Sequence, residues 1–136
     1  MDCDFERTLS NGRTGFAGFL GSIESYLESL DVPVDAIMTL MVVFDELVSN
    51  ILDHGGATTV TVRLNVSVGT LAAELIDDGA AFDPLSCSEP ETSLPVEDRP
   101  IGGLGLHIVR KLVDSMIYAR EGNRNRLRFA KTYSVD

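Results

Sequence analysis

The sequence predicts an α+β domain, a two-layer sandwich with helices on one face of a mixed, mostly antiparallel sheet. Three segments space their apolar residues three and four positions apart, which is the pattern of helices packed on a core. Two shorter segments between the second and third of these are rich in valine, threonine and leucine and partly alternate, which is typical of strands, and three further short segments are also predicted as strands. Their order is β-α-α-β-β-loop-α-β-β, and residues 1–136 have the length of one domain.

The chain opens with a predicted edge strand and a first helix. Residues 5–9 form the strand, Asn11-Gly12 marks a turn, and residues 14–30 form the helix. The apolar residues of this helix share one face, which we expect to enter the core: Phe16, Phe19, Leu20, Ile23, Leu27 and Leu30.

A second helix is predicted to run to about Asp53. Asp31 offers its N-cap region, Pro33 a proline in the first turn, and Gly55-Gly56 ends it. The stripe that should face the core comprises Ile37, Leu40, Met41, Phe44, Leu47, Val48 and Ile51.

The opposite side of this helix has two parts. Its C-terminal half carries a polar strip of Glu46, Ser49, Asn50 and Asp53. Its N-terminal half places Met38, Val42 and Val43 on that side, so we expect something to cover it. A carboxylate and an amide one turn apart, Glu46 and Asn50, could hold Mg²⁺ or activate a hydroxyl nucleophile. The plain alternative is a solvated polar surface.

Two antiparallel strands, 58–68 and 71–76, follow with a hairpin turn at Gly69-Thr70. The next segment is rich in proline, serine and acid and lacks periodicity, so it predicts a mobile loop that acts as a lid over about 83–101.

Three glycines then lead into a third helix, and closing strands are predicted around 117–120 and 126–133. The apolar residues that predict the third helix are Leu106, Ile108, Val109, Leu112, Val113 and Met116.

Two glycine-containing segments have the composition of a nucleotide site. Asp77 ends a strand before Gly79, where a carboxylate can accept a hydrogen bond from the exocyclic amine of adenine and a glycine lets the purine approach the backbone. Residues 102–106 expose backbone N–H groups at the start of a helix, which suits phosphate. The plain alternatives are an Asp-Gly turn and a flexible or closely packed glycine loop.

In order and spacing these segments resemble the motifs of the GHKL (histidine-kinase-like) ATPase superfamily. Residues 46–50 (Glu-Leu-Val-Ser-Asn) resemble its N-box, 77–81 (Asp-Asp-Gly-Ala-Ala) its first glycine box, and 103–105 (Gly-Leu-Gly) its second. The compact lid, the Gly-Gly-Leu-Gly-Leu turn and a closing Asn-Arg-Leu-Arg-Phe-Ala-Lys strand are similar to those of the single-domain anti-sigma-factor serine/threonine kinases. The resemblance covers nearly the whole chain and implies the superfamily's ATP-binding fold.

The resemblance also implies an Mg·ATP site and a role for each matching residue. Asn50 helps to bind Mg²⁺, Asp77 reads adenine and Gly79 shapes the base pocket. Glu46 is the general base that takes the proton of a serine or threonine hydroxyl on a partner protein. The candidate residues on the phosphate side are Gly102, Gly103, Leu104, Gly105 and Leu106.

Three positions depart from the pattern or extend it. Ala81 replaces the second glycine of the first box; it should narrow the pocket's edge and leave binding intact. The threonine found on a late strand of many members is not evident, and Asn125 is a substitute polar side chain near the base. Arg99, before the second box, is a cation that could reach a γ-phosphate when the lid closes, with a solvated loop arginine as the equal alternative.

Composition argues against several partners and locations. The net charge of −10 repels polyanions, so we expect neither nucleic acid nor a membrane as a partner. Cys3 and Cys87 have no metal or redox spacing and are expected to be unpaired thiols of a cytoplasmic protein. His54 and His107 are expected to be structural, since neither has a second ligand at metal spacing. The last strand should carry a solvated face of Arg124, Arg126 and Arg128.

The resemblance implies a partner-switching regulator. Such a protein phosphorylates an anti-sigma-factor antagonist of the STAS type and sequesters a sigma factor or similar regulator, and a homodimer is expected from the resemblance alone. Three alternatives stay open: a catalytically silent ATP-dependent binding module, a detached histidine-kinase catalytic domain, and a nucleotide-free adaptor.

Overall fold

The strands and helices follow one another in the order that the sequence predicts, and the α+β class is confirmed. The computed structural model describes residues 3–86 and 103–135. Its elements are β1 Phe5–Leu9, α1 Arg13–Ser29, α2 Val34–His54, β2 Val60–Ser67, β3 Thr70–Asp77, a 3₁₀ turn at Pro84–Ser86, α3 Gly103–Leu112, β4 Ser115–Glu121 and β5 Arg124–Thr132.

The five strands form one sheet in the order β1-β2-β3-β5-β4. All four pairings between these strands are antiparallel, so the parallel pair that a mixed sheet requires does not occur among them. Tight turns after β2 and β4 impose this arrangement, because short connections join only antiparallel neighbours. The register sets Asn125 of β5 opposite Asp77 of β3 on one side and Arg120 of β4 on the other.

The helices cover one face of the sheet and share a single apolar core with it. Ile23 and Leu27 of α1 and Leu40 and Phe44 of α2 have no exposed surface. The ring of Phe44 meets that of Phe129 of β5 with 5.3 Å between centroids, which joins the helix layer to the sheet. The core-facing stripe predicted for α2 is confirmed, although Met41 and Ile51 are only partly buried.

The predicted start of α2 is wrong in detail. Pro33 is the residue before the helix and not a member of its first turn. Asp31 has a left-handed backbone with φ 59° and no side-chain hydrogen bond caps the helix, because the connection from α1 turns sharply at that residue.

The predicted end of α3 is also wrong, since Met116 belongs to β4. The N–H of Asp114 donates to the carbonyl of Ala130 at 2.9 Å, and the Asp114 carboxylate accepts from both the N–H and the hydroxyl of Thr132. These bonds to the sheet end the helix at Leu112. They also hold the pKa of Asp114 below its ordinary value.

The side of α2 that we expected to be covered is open. Val34, Met38 and Val42 lie one turn apart and are 73%, 66% and 51% exposed, whereas Val43 is fully buried in the core. A helix turns by about 100° per residue, so Val43 lies more than a quarter of the circumference away from this apolar ridge. Among the described residues none covers the ridge.

The sheet face away from the helices carries a buried carboxylate, and of the arginines predicted to form a solvated face there Arg124 and Arg128 are exposed while Arg126 is half-buried. Glu74 has no exposed surface. Its oxygens accept from Arg63 at 3.2 Å, Arg126 at 2.9 Å and Arg128 at 2.6 Å. Burial raises the pKa of Glu74, but the guanidinium groups of Arg128 and Arg126 outweigh it and hold the pKa below its ordinary value. Only Arg124 remains exposed without an ion pair among the three predicted arginines.

Two further expectations can be compared with the structure. Cys3 is a free thiol, as predicted, while Cys87 lies outside the described residues. Over 3–86 and 103–135, no helix combines the length and the apolar character needed to cross a bilayer.

Candidate functional site

A cavity of about 30 Å³ opens where the C-terminal half of α2, the ends of β3 and β5, and the start of α3 meet. Its walls are mostly apolar, with a few convergent polar groups, which is the usual form of a small-molecule site. Its free volume suits roughly one or two water molecules, so a larger ligand requires the walls to separate. The lining residues are Leu47, Asn50, Ile51, Asp77, Phe82, Pro84, Leu106, Tyr118, Asn125 and Leu127.

Asp77 is a buried carboxylate in the wall of this cavity, with 4% of its surface exposed. Its Oδ1 accepts the backbone N–H of Gly79 at 2.9 Å and the side-chain amide of Asn125 at 3.0 Å. Within the described chain its Oδ2 receives no hydrogen bond. The carboxylate is therefore fixed by one oxygen and keeps the other for a donor.

Gly79 follows Asp77 in a loop that is pressed against the end of α2. A Cβ at this position would lie 2.7 Å from the carbonyl oxygen of Gly55 and 3.0 Å from Asp77 Oδ1. The same Gly55 oxygen accepts the N–H of Ala80 at 2.9 Å. Only glycine fits this approach, which is the reason for its place in the motif.

Asp78, the second aspartate of the motif, points elsewhere and has a structural task. It accepts hydrogen bonds from the hydroxyl and N–H of Thr58 and from the N–H of Thr59. These bonds lower its pKa to about 2. Asp78 therefore clamps the segment that leads into β2, and Asp77 alone faces the cavity.

Glu46 and Asn50 form a pair one turn apart on α2. The Asn50 amide nitrogen donates to the Glu46 carbonyl at 2.8 Å and to its carboxylate Oε1 at 3.2 Å. Asn50 Oδ1 and Glu46 Oε2 accept no hydrogen bond in the described part of the chain. The pair thus offers one amide oxygen and one carboxylate oxygen at the mouth of the cavity.

The first turn of α3 packs against this pair. A Cβ at Gly105 would overlap the carboxylate of Glu46, so the second glycine motif and the N-box are in direct contact. The first N–H groups of a helix have no partner within it and favour anions. Gly103 begins α3, and Leu106, only 2% exposed, reaches the cavity wall.

The structure brings most of the predicted residues together. Asn50, Asp77 and Leu106 line one cavity. Glu46 bonds to Asn50 and lies against Gly105, Gly79 bonds to Asp77, and Gly103 and Leu104 belong to the first turn of α3. Ala81 is exposed and does not line the cavity, because the loop turns outward after Ala80 contacts Gly55. Of the lid predicted over about 83–101, residues 84–86 form the 3₁₀ turn, while residues 87–101, which include Arg99, lie outside the described residues, as does Gly102.

The two histidines have different surroundings in the described part of the chain. His54 lies beside Phe82, with ring centroids 6.5 Å apart, and His107 is half-buried. No group of three or more His, Cys, Asp or Glu side chains in residues 3–86 and 103–135 could hold a metal ion by itself.

Sequence reasoning undervalued Asn125 and missed Tyr118 and Phe82 as parts of the cavity wall. A signal for Asn125 was present, since it alternates with Arg124 and Arg126 and shares the face of Leu127 and Phe129. An amide on the core-facing side of a strand needs a buried hydrogen-bonding partner.

Residues 16–131 match the family described as the histidine kinase-like ATPase domain. The chain belongs to this family. Membership implies ATP binding, and it confirms the superfamily that the three motifs indicate. The match begins within α1 and ends within β5, so it includes every residue that lines the cavity.

Individual relatives agree with this assignment. The chain is 28% identical over 93 residues to the serine/threonine-protein kinase BtrW of Bordetella bronchiseptica, an alignment that covers 65% of this chain and 66% of that protein. It resembles a chain of the SiaB–SiaC complex from Pseudomonas aeruginosa with a TM-score of 0.62, 17% identity and coverage of 94% and 89%. It resembles the histidine kinase AdeS of Acinetobacter baumannii with a TM-score of 0.51, 15% identity and coverage of 93% and 67%. The two structures establish a shared fold.

Proposed function

We propose that the chain is a protein serine/threonine kinase of the anti-sigma-factor type, which transfers the γ-phosphoryl group of Mg·ATP to a hydroxyl on an antagonist protein. One observation carries the proposal. A single cavity is lined both by Asp77, a carboxylate suited to a purine, and by Asn50, whose amide bonds to the Glu46 carboxylate beside the first turn of α3. The similarity to BtrW supports a hydroxyl acceptor.

The base end suits adenine by its chemistry. Asp77 Oδ2 accepts no hydrogen bond from the described residues, which leaves it for the exocyclic amine, and Leu47, Ile51 and Leu127 provide apolar walls for the ring. The cavity of about 30 Å³ must widen for the ring to enter. Phe82 and Pro84, which lie on the loop after the first glycine motif, are the wall residues that belong to neither helix nor strand of the core.

The phosphate end suits Mg²⁺, although it offers few ligands of its own. Asn50 Oδ1 is an amide oxygen that accepts no hydrogen bond among the described residues, so it can coordinate the ion without breaking a bond. Protein-bound Mg²⁺ keeps several waters and takes substrate phosphates as ligands, so one protein oxygen is enough. When bound, the ion neutralises charge on the phosphates, which a protein of net charge −10 otherwise repels.

The transfer step uses Glu46 and the first turn of α3. Glu46 takes the proton of the partner's serine or threonine hydroxyl through Oε2. The hydroxyl oxygen forms its bond to the γ-phosphorus as the bond to the β-phosphate oxygen breaks, and ADP leaves. Backbone N–H groups of Gly103 to Gly105 hold the phosphates in line during this exchange.

The proposed partners are proteins. They are a STAS-type antagonist that accepts the phosphate, and a sigma factor or similar regulator that is held until the antagonist releases it. We also propose a cytoplasmic location and a homodimer, and we expect no nucleic acid and no membrane as a partner. A net charge of −10 supports the last expectation.

ATP titration by calorimetry, with and without Mg²⁺, tests the nucleotide site. Asp77→Asn removes the charged acceptor and should weaken ATP binding at least about tenfold, to a level that calorimetry still measures. Asp78→Asn alters the neighbouring carboxylate, which binds Thr58 and Thr59 instead, and should leave binding intact. If wild-type protein binds no ATP, or if both variants lose binding equally, the proposed site is wrong.

Incubation with γ-labelled ATP and an extract of the source cells tests the transfer. We expect an acid-stable phosphoserine or phosphothreonine on a partner, and its loss in Glu46→Gln despite retained ATP binding. An acid-labile phosphohistidine would instead identify a detached histidine-kinase domain. ATP binding without any labelled protein would identify the silent binding module, which the intact Glu46 carboxylate argues against.

A further inference from the structure

Asn125 occupies a central position at the base end of the cavity. It is 5% exposed, lines the cavity and stands directly opposite Asp77 in the register between β3 and β5. On its other side it stands opposite Arg120 of β4. The three polar side chains therefore form a row across three neighbouring strands.

Every hydrogen-bonding capacity of the Asn125 amide is used. Its nitrogen donates to Asp77 Oδ1 at 3.0 Å and to the Ala80 carbonyl at 2.8 Å. Its oxygen accepts from the Tyr118 hydroxyl and from Arg120 at 3.2 Å. Because an amide has two donor and two acceptor sites, this set of partners fixes both its position and its orientation.

The orientation decides what Asp77 can do. The Asn125 N–H and the Gly79 N–H together satisfy Asp77 Oδ1, so the carboxylate cannot rotate without losing a buried, charge-assisted hydrogen bond. Only Oδ2 is left for a ligand. The cavity then presents an acceptor at one fixed place.

We propose that Asn125 is a positioning residue that holds Asp77 for the exocyclic amine of a purine, and that it thereby determines nucleotide specificity. A base with an amine beside the ring nitrogen donates to Oδ2. A base with a carbonyl there places an acceptor against an acceptor and is rejected. This inference rests on the proposed ATP site and adds the residue that makes that site selective.

Arg120 links the hydrogen bonds of Asn125 to the loop that carries Gly79. Its guanidinium donates to the Gly79 carbonyl at 2.8 Å as well as to Asn125. The loop that carries Gly79 and Ala80 is thus tied to the strand that carries Asn125. The Asp77 carboxylate and the loop beside it keep one relative position because both are bound to the same amide.

The test compares two nucleotides in wild type and Asn125→Val. ATP carries the 6-amino group, and purine riboside triphosphate is the same molecule without it. Valine suits a strand but has no group that can donate to Asp77 or Ala80. We expect Asn125→Val to weaken ATP about tenfold or more, the usual effect of a charge-assisted hydrogen bond, and to weaken purine riboside triphosphate less than about twofold.

A double variant and a second substitution at position 125 distinguish a positioning role of Asn125 from a purely structural one. Adding Asn125→Val to Asp77→Asn should weaken ATP no further, because a positioning residue acts through the group it positions. Asn125→Ala removes the same two donors with a smaller side chain, so it should weaken ATP at least as much and serves if the valine variant does not fold.

Equal weakening of both nucleotides, or an additive loss in the double variant, would show that Asn125 supports only the fold and would overturn the inference. Unchanged ATP affinity in both variants would do the same. Failure of the wild type to bind ATP would instead overturn the proposed function, so the two failures are distinguishable.

Discussion

Replacing Glu74 with glutamine tests the buried ion cluster on the open face of the sheet. The variant keeps the shape of the side chain and one acceptor oxygen but removes the charge that Arg63, Arg126 and Arg128 surround. Three guanidinium groups are then left close together without their shared anion. We expect the protein to fold and to be less stable.

The size of the effect follows from the exposure of the partners. Breaking a buried ion pair costs about 3–5 kcal/mol. The side chains of Arg63, Arg126 and Arg128 remain 26%, 29% and 48% exposed and can regain water. We therefore expect a smaller loss of unfolding free energy, about 2 kcal/mol. A chain of 136 residues has an unfolding entropy of about 0.3 kcal/mol per kelvin, so the melting temperature should fall by about 7 °C.

Glu121→Gln is the matched control, because Glu121 binds the same Arg126 at 3.1 Å but is 53% exposed. An exposed pair contributes about 0–1 kcal/mol, so this variant should melt within roughly 3.5 °C of wild type. Thermal unfolding at pH 7, followed by circular dichroism, measures both. A fall of less than about 2 °C in Glu74→Gln, or an equal fall in the two variants, would refute the reasoning.

Three further outcomes are expected. Gly105→Ala should lower the affinity for ATP at least about tenfold, because the new Cβ overlaps the Glu46 carboxylate and must displace either that side chain or α3. An unchanged ATP affinity in calorimetry would contradict this contact. Gly18 lies on an exposed part of α1, and no atom is within 4 Å of a methyl group added there. Gly18→Ala should raise the unfolding free energy, measured in urea, by about 0.5–1 kcal/mol and leave ATP affinity unchanged. A loss of stability would show that the added methyl group meets a neighbour. Asp78 has a pKa lowered to about 2, so its contribution is present above the ordinary carboxyl pKa of about 4 and is lost as the pH falls toward 2. Asp78→Asn should therefore lose about 1 kcal/mol at pH 7, and the difference from wild type should shrink between pH 4 and 2.5 in urea unfolding; a constant difference would exclude the carboxylate as its source.

The sequence was informative wherever a feature depends on neighbours along the chain. The 3.6-residue period of α2 predicted both its core stripe and the pairing of Glu46 with Asn50, because residues four apart share a helix face. The glycine motifs were equally local: Gly79 and Gly105 mark places where a backbone or carboxylate approaches too closely for a Cβ.

The features that were missed depend on pairing between strands. Alternation places Glu74 on one face of β3, but only the register sets Arg63 and Arg128 directly opposite it. The same holds for Asp77 and Asn125, which are 48 residues apart in the chain. A strand pattern gives the face of a side chain and not its partner, since a shift of two residues preserves the face and changes every neighbour.

The contact of Gly55 with the Gly79–Ala80 loop joins the two ends of the nucleotide site mechanically. Gly55 directly follows α2, the helix that carries Asn50, and its carbonyl is held by the Ala80 N–H. A displacement of α2 along its axis therefore moves the phosphate side and disturbs the base side at the same time. By thermodynamic linkage, a partner protein whose binding displaces α2 must change nucleotide affinity, and nucleotide must change the affinity for that partner by the same factor. Partner and nucleotide then communicate through one rigid helix, without a separate relay.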